Sequence, residues 1–120
     1  MNKLHKEKLN ELWNQTQTGD WDGYDSLPVY DRTFSLAEQV IEILEATWPS
    51  LDFGAEPDGS ITIEWYSKKL GEWSLSLRHD DFISYAGILG KHKLRGACKT
   101  LESIPYISDM LYACAFKGAN

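Results

Sequence analysis

The period of the hydrophobic pattern changes at Trp48-Pro49 in this 120-residue chain, from about 3.6 before it to 2 over residues 51–89. A helix buries apolar residues at three-and-four spacing and a half-buried strand at every second position, so the change separates a helical part from a sheet-forming part. In residues 4–17, Leu9, Leu12 and Trp13 recur among Lys, Glu, Asn and Gln, the narrow stripe of a short amphipathic helix. Ser35 with Glu38 three places on reads as a capping box, followed by a face of Leu36, Val40, Ile43, Leu44 and Thr47, widened by Ala37, Ile41 and Trp48. Pro49 stops this second helix because the residue before a proline is pushed out of the helical region.

Beyond it, Leu51, Phe53 and Ala55 alternate with polar residues, and Glu56-Pro57-Asp58-Gly59 makes a turn. Ile61, Ile63 and Trp65 then alternate with Thr62, Glu64 and Tyr66, and Trp73, Leu75 and Leu77 with Ser74, Ser76 and Arg78. Asp80-Asp81 turns the chain into residues 82–89. Residues 93–101 read as a fifth strand, with a helix as the alternative because Gly96 interrupts the alternation. Ser103 as cap, Pro105 in the first turn and a stripe of Ile104, Ile107, Leu111, Cys114 and Ala115 read as a closing helix. The expected class is α+β, one domain over residues 1–120: two N-terminal helices, a four- or five-stranded antiparallel meander and a C-terminal helix, the helices covering one sheet face.

Charge narrows the partners. Eighteen acids against twelve bases leave a formal charge of −6, a field that repels phosphate backbones and anionic membranes, so neither nucleic acid nor membrane is an expected partner. The opening MNKLHKEKLNELW has no apolar run of the signal-peptide kind and no segment is long and apolar enough to span a bilayer, so a cytoplasmic location is expected. Cys98 and Cys114 lack metal-site spacing and read as buried free thiols.

The common chemical motifs are missing. Neither of the two common glycine-rich phosphate loops occurs, nor a His-Glu-x-x-His, nor a Gly-x-Ser-x-Gly elbow, and no catalytic residue or cofactor is assigned. His79-Asp80-Asp81 is the best local metal candidate, yet consecutive strand residues face opposite ways and Asp-Asp between apolar runs is turn chemistry, so no metal is expected. Asp20, Asp22 and Asp25 space like the start of a calcium loop, but Trp21 and Tyr24 intrude and Asp31 stands where a glutamate is needed. Glu64 reads as a surface ion-pair partner rather than half of an acid–base pair.

One segment remains, residues 19–31, GDWDGYDSLPVYD. Trp21, Tyr24 and Tyr30 read as pins holding it to the core, Asp22 as the hydrogen-bonding residue of an Asp-Gly turn, and Gly23 as a positive-φ position. The same aromatic and acidic content also suits an interface hot spot. WDGYDSLP, residues 21–28, resembles the Trp-Asp-Gly-Tyr-Gly-Ala-x-Pro motif of small bacterial proteins carried on phages, genomic islands and integron gene cassettes. Trp21, Asp22, Gly23, Tyr24 and Pro28 match, while Asp25 and Ser26 replace Gly and Ala; the Pro-Asp-Gly turn, a Glu-Trp strand and Ile83-Ser84-Tyr85 downstream are also similar. The resemblance implies an accessory protein of mobile DNA that binds or inhibits, and it assigns no activity.

The functional expectation is therefore a small acidic, non-enzymatic protein that binds another, basic, protein. Its binding residues would be Trp21, Asp22, Tyr24 and Asp25 in the loop, and Glu64, Tyr66 and Arg78 on the polar sheet face. The alternative is a small-molecule binder or unfamiliar enzyme with Trp21, Tyr24, Trp65 and Trp73 walling a pocket between helices and sheet, and Asp22 or Glu64 as its polar handle. A homodimer is expected through an edge strand at residues 93–101 or through the stripe at residues 4–13.

Overall fold

The alternation of residues 61–77 becomes two strands in antiparallel register, with Ile61, Ile63 and Trp65 opposite Leu77, Leu75 and Trp73. In the computed structural model, which describes residues 1–99 except Thr47, Lys69, Leu70, His79, Asp81 and Gly90, these strands form the centre of a five-stranded sheet. The strands are β1 (Asp52–Ala55), β2 (Ile61–Ser67), β3 (Gly71–Leu77), β4 (Phe82–Leu89) and β5 (His92–Lys99), paired antiparallel in chain order as a meander. Before them come α1 (Lys3–Gln15) and α2 (Asp31–Glu45). The α+β class, the two helices, the meander and the fifth strand agree with the sequence expectation. The expected closing helix from Ser103 to Ala115 lies outside the described residues, as do Thr47, His79 and Asp81.

One expectation needs correction. The second helix begins at Asp31 with Tyr30 at its N-cap and no side-chain cap bond, so Ser35 is an exposed residue inside the helix and not its cap. Burial decides the start: Thr33 and Phe34 sit in the core one turn ahead of Ala37, and only a helix running through them puts all three on the stripe with Val40, Ile41 and Leu44. Of the two readings of residues 93–101, the strand is the one found over the described residues 93–99, which pair along their length with β4. Gly96 fits the strand because the Tyr85 ring, directly opposite, lies where a Cβ would project; Trp73 covers Gly87 in the same way.

The helices cover the face of Ile61, Ile63, Trp65, Trp73, Leu75, Leu77 and Ile83, which joins Phe34, Val40, Ile41 and Leu44 in one core. Trp48 stacks on Trp65 with ring centroids 5.3 Å apart, and Trp13 meets Phe34 edge-on at 4.8 Å. Leu9 is buried and Leu12 and Trp13 pack against the core, while Leu4 is exposed. No helix among the described residues is long and apolar enough to cross a membrane.

A polar node locks α1 to the end of α2 and to the entry of the sheet. His5, fully buried, holds Glu45 through Nδ1 at 2.8 Å, and its Nε2 accepts the Leu51 amide at 3.1 Å, which places the ring hydrogen on Nδ1. The same carboxylate accepts the Asn2 amide at 2.9 Å, and Asn2 in turn caps α1 by accepting from the His5 amide. Burial disfavours the charge on Glu45, but the bonds from His5 and Asn2 outweigh it and hold the carboxyl below the usual glutamate pKa.

A depressed carboxyl pKa contributes stability that is complete above the unfolded-state value and is lost as pH falls through the folded-state one. Glu45→Gln is therefore expected to lower the unfolding free energy by about 1.5–3 kcal/mol at neutral pH. Urea titrations should show the gap to wild type closing between about pH 5 and pH 3. A gap that stays constant down to about pH 3 would mean that the charge of Glu45 is not what this node holds.

Candidate functional site

Alternation along each strand sends a second set of side chains to the opposite sheet face, and among the described residues nothing packs across it. One row of this face runs Asp52, Glu64, Ser74, Ala86 and Arg95 from β1 to β5; the next runs Tyr66, Glu72, Ile88 and Lys93 from β2 to β5. These rows line an open groove of about 790 Å³. Its floor is low because the middle positions are Ser74 and Ala86, and its rims stand high because long side chains occupy the outer strands.

The groove is electrically polar. Asp52 and Glu64 face each other directly across β1 and β2, with Glu72 on β3, whereas Lys93 and Arg95 line the β5 rim. Like charges directly opposite on a sheet cost stability, and here the cost is eased at one carboxylate, because Lys8 reaches from α1 to within 3.6 Å of Asp52. Glu64, Glu72, Lys93 and Arg95 form no ion pair among the described residues. Tyr66 at 69 % exposed and Ile88 at 45 % add apolar surface to the same face.

Of the residues expected to bind, Glu64 and Tyr66 lie in this groove, and Trp21, Asp22, Tyr24, Asp25 and Arg78 do not line it. The loop carrying the first four is a self-bonded knot against the β1–β2 turn. Asp20 Oδ1 accepts the Asp25 amide and Asp22 Oδ1 the Tyr24 amide, each at 2.8 Å; this amide bond is the main cause of an Asp22 carboxyl below its usual pKa. The Trp21 indole N–H donates to the Leu27 carbonyl at 2.6 Å, and the Leu27 amide donates to the Pro57 carbonyl at 2.8 Å. The expected Asp22 turn and positive φ at Gly23 are present. The expected pin at Tyr24 is not, since its side chain is 86 % exposed, and buried Ser26 and Val29 anchor the loop.

The residues expected to wall an interior pocket are divided between core and loop. Trp65 and Trp73 belong to the core, Glu64 points to the other face, and Trp21 and Tyr24 belong to the loop. No cluster of three or more His, Cys, Asp and Glu side chains able to hold a metal ion occurs among the described residues. Asp52, Glu72, Lys93 and Arg95 went unnoticed in the sequence because they come from three separate strands, and only the register aligns them. Comparison of the chain with protein-family models, curated proteins and solved structures finds no match.

The loop geometry gives a ranking of glycine substitutions. At Gly59, φ is +86° and an added Cβ would lie 2.9 Å from the Pro28 carbonyl oxygen, whereas at Gly23, φ is +79° with open space around it. Gly23→Ala should cost about 1 kcal/mol from backbone strain alone, and Gly59→Ala more, because the loop must also move off the turn. Tyr24→Ala should stay within about 0.5 kcal/mol of wild type in the same denaturant series. Equal costs at the two glycines would refute the docking of the loop on that turn.

Proposed function

We propose that the protein is a non-catalytic binding protein and that the sheet face left open by α1 and α2 takes another protein. The observation that carries this reading is the groove: about 790 Å³, with carboxylates on one rim, cations on the other and exposed Tyr66 and Ile88 between them. Such a surface offers orienting charge and an amphipathic aromatic anchor, the two ingredients that interfaces concentrate. Groups without an ion partner among the described residues keep their charge available to a partner. The similarity of WDGYDSLP to the motif of mobile-DNA accessory proteins points the same way, toward a protein that acts by binding.

Placing a photoreactive benzoylphenylalanine at Ala86, on the exposed groove floor, tests the surface directly. Irradiation in the source cells should yield adducts heavier than the chain alone, with Tyr24 substituted in the same way giving none. Adducts from position 24 and none from 86 would move the binding surface to the loop.

A further inference from the structure

The charge layout of the open face is self-complementary, and we infer that its occupant is a second copy of this chain, docked face to face about a two-fold axis parallel to the strands. This inference rests on the open face being a binding surface and adds the identity of the partner.

An axis along β3 exchanges the β1 side of one sheet with the β5 side of the other. It sets Asp52 of one copy over Arg95 of the second, with Lys93 beside them, and does so twice. The same operation brings Tyr66 on β2 over the second copy's Ile88 on β4, because the two residues occupy one row at equal distance from β3. Exposed apolar surface thus meets exposed apolar surface where the axis sets cation against carboxylate. A two-fold perpendicular to the strands would stack β1 on β1 and β5 on β5, like charge on like. Only the parallel axis satisfies the layout.

Five strands spaced about 4.8 Å apart and about seven residues long offer roughly 500–600 Å² per copy, so the pair would bury about 1,100 Å². That passes the roughly 1,000 Å² needed for a specific interface and puts the dimer at the weak end of the range. Pairing through the β5 edges fits worse, because an antiparallel edge contact would run Lys93 and Arg95 of both copies alongside each other, and edge cations are a device that discourages such pairing. The face contact has one adverse element: Glu72 lies on the central strand and approaches its own copy across the axis.

Sedimentation equilibrium of the whole chain tests the inference. The expected mass approaches twice the 13.7 kDa chain at high protein concentration. Arg95→Asp should weaken the dimer at least about tenfold, Asp52→Arg likewise, and the double exchange should restore it. Asp52 also meets Lys8, so thermal melts check that both variants fold; Glu72→Gln, which touches no partner among the described residues, should tighten the dimer independently. A monomer up to about 100 µM, or a dimer indifferent to Arg95→Asp and Glu72→Gln, overturns the inference. A monomer whose position-86 adduct contains a different protein refutes the second copy and leaves the binding surface standing; a monomer with no adduct refutes both.

Discussion

The pairing of β2 with β3 fixes every face assignment in the molecule. Ile61, Ile63 and Trp65 meet Leu77, Leu75 and Trp73, while Thr62 and Glu64 meet Ser76 and Ser74. Because side chains alternate with a period of 2, a slip of one residue would turn one strand's apolar set to the water and its polar set toward the core. The energetic gap is large: burying each of these side chains is worth roughly 1.5–3 kcal/mol, and the slipped strand would lose three together. The flanking strands then add to a settled template, with Gly87 and Gly96 allowing the Trp73 and Tyr85 rings to lie flat on the neighbouring strand. Core and groove are two sides of one register, and neither could exist without the other.

Where the sequence was legible, one kind of spacing carried the information. The alternation in residues 61–77 named the inward and outward sets correctly, since each strand's pattern is local and needs no knowledge of its partner. The start of α2 was misread because Ser35 and Glu38 satisfy a local capping rule while the deciding fact, burial of Thr33 and Phe34 against the sheet, is tertiary. His5 was similarly invisible: nothing in MNKLHKEK marks a histidine that meets Glu45 and Leu51, 40 and 46 residues away. Glu64 and Tyr66 could be placed on the polar face from β2 alone, but Lys93 and Arg95 become their neighbours across the groove only through three successive registers.

The loop at residues 19–31 shows how composition can suggest a site where the hydrogen bonds describe scaffolding. Asp20 and Asp22 direct carboxylate oxygens at amides of their own loop, and Asp20 and Asp25 hold φ near +59°, a conformation that such bonds help to hold. The contrast with the groove is in the partners. Asp20 and Asp22 in the loop are committed to backbone amides, whereas Glu64 and Glu72 have no ion partner among the described residues and remain open to another molecule.

Whole-chain charge and local charge then pull in opposite directions, and their ranges separate them. Two chains of charge −6 repel at long range, and this repulsion fades as salt shortens the screening length from about 30 Å at 0.01 M to about 8 Å at 0.15 M. Pairs such as Asp52 with the second copy's Arg95 act at contact distance in a partly desolvated interface, where screening is weaker. Lys93 and Arg95 concentrate the attraction on one rim while the repulsion is spread over the molecule. Raising salt from low to physiological strength should therefore strengthen self-association or leave it unchanged. A basic heterologous partner drawn by the net charge would show the reverse, its affinity falling steadily over the same range. The sign of the salt dependence thus distinguishes a face built for its own copy from a generally acidic surface that collects cations.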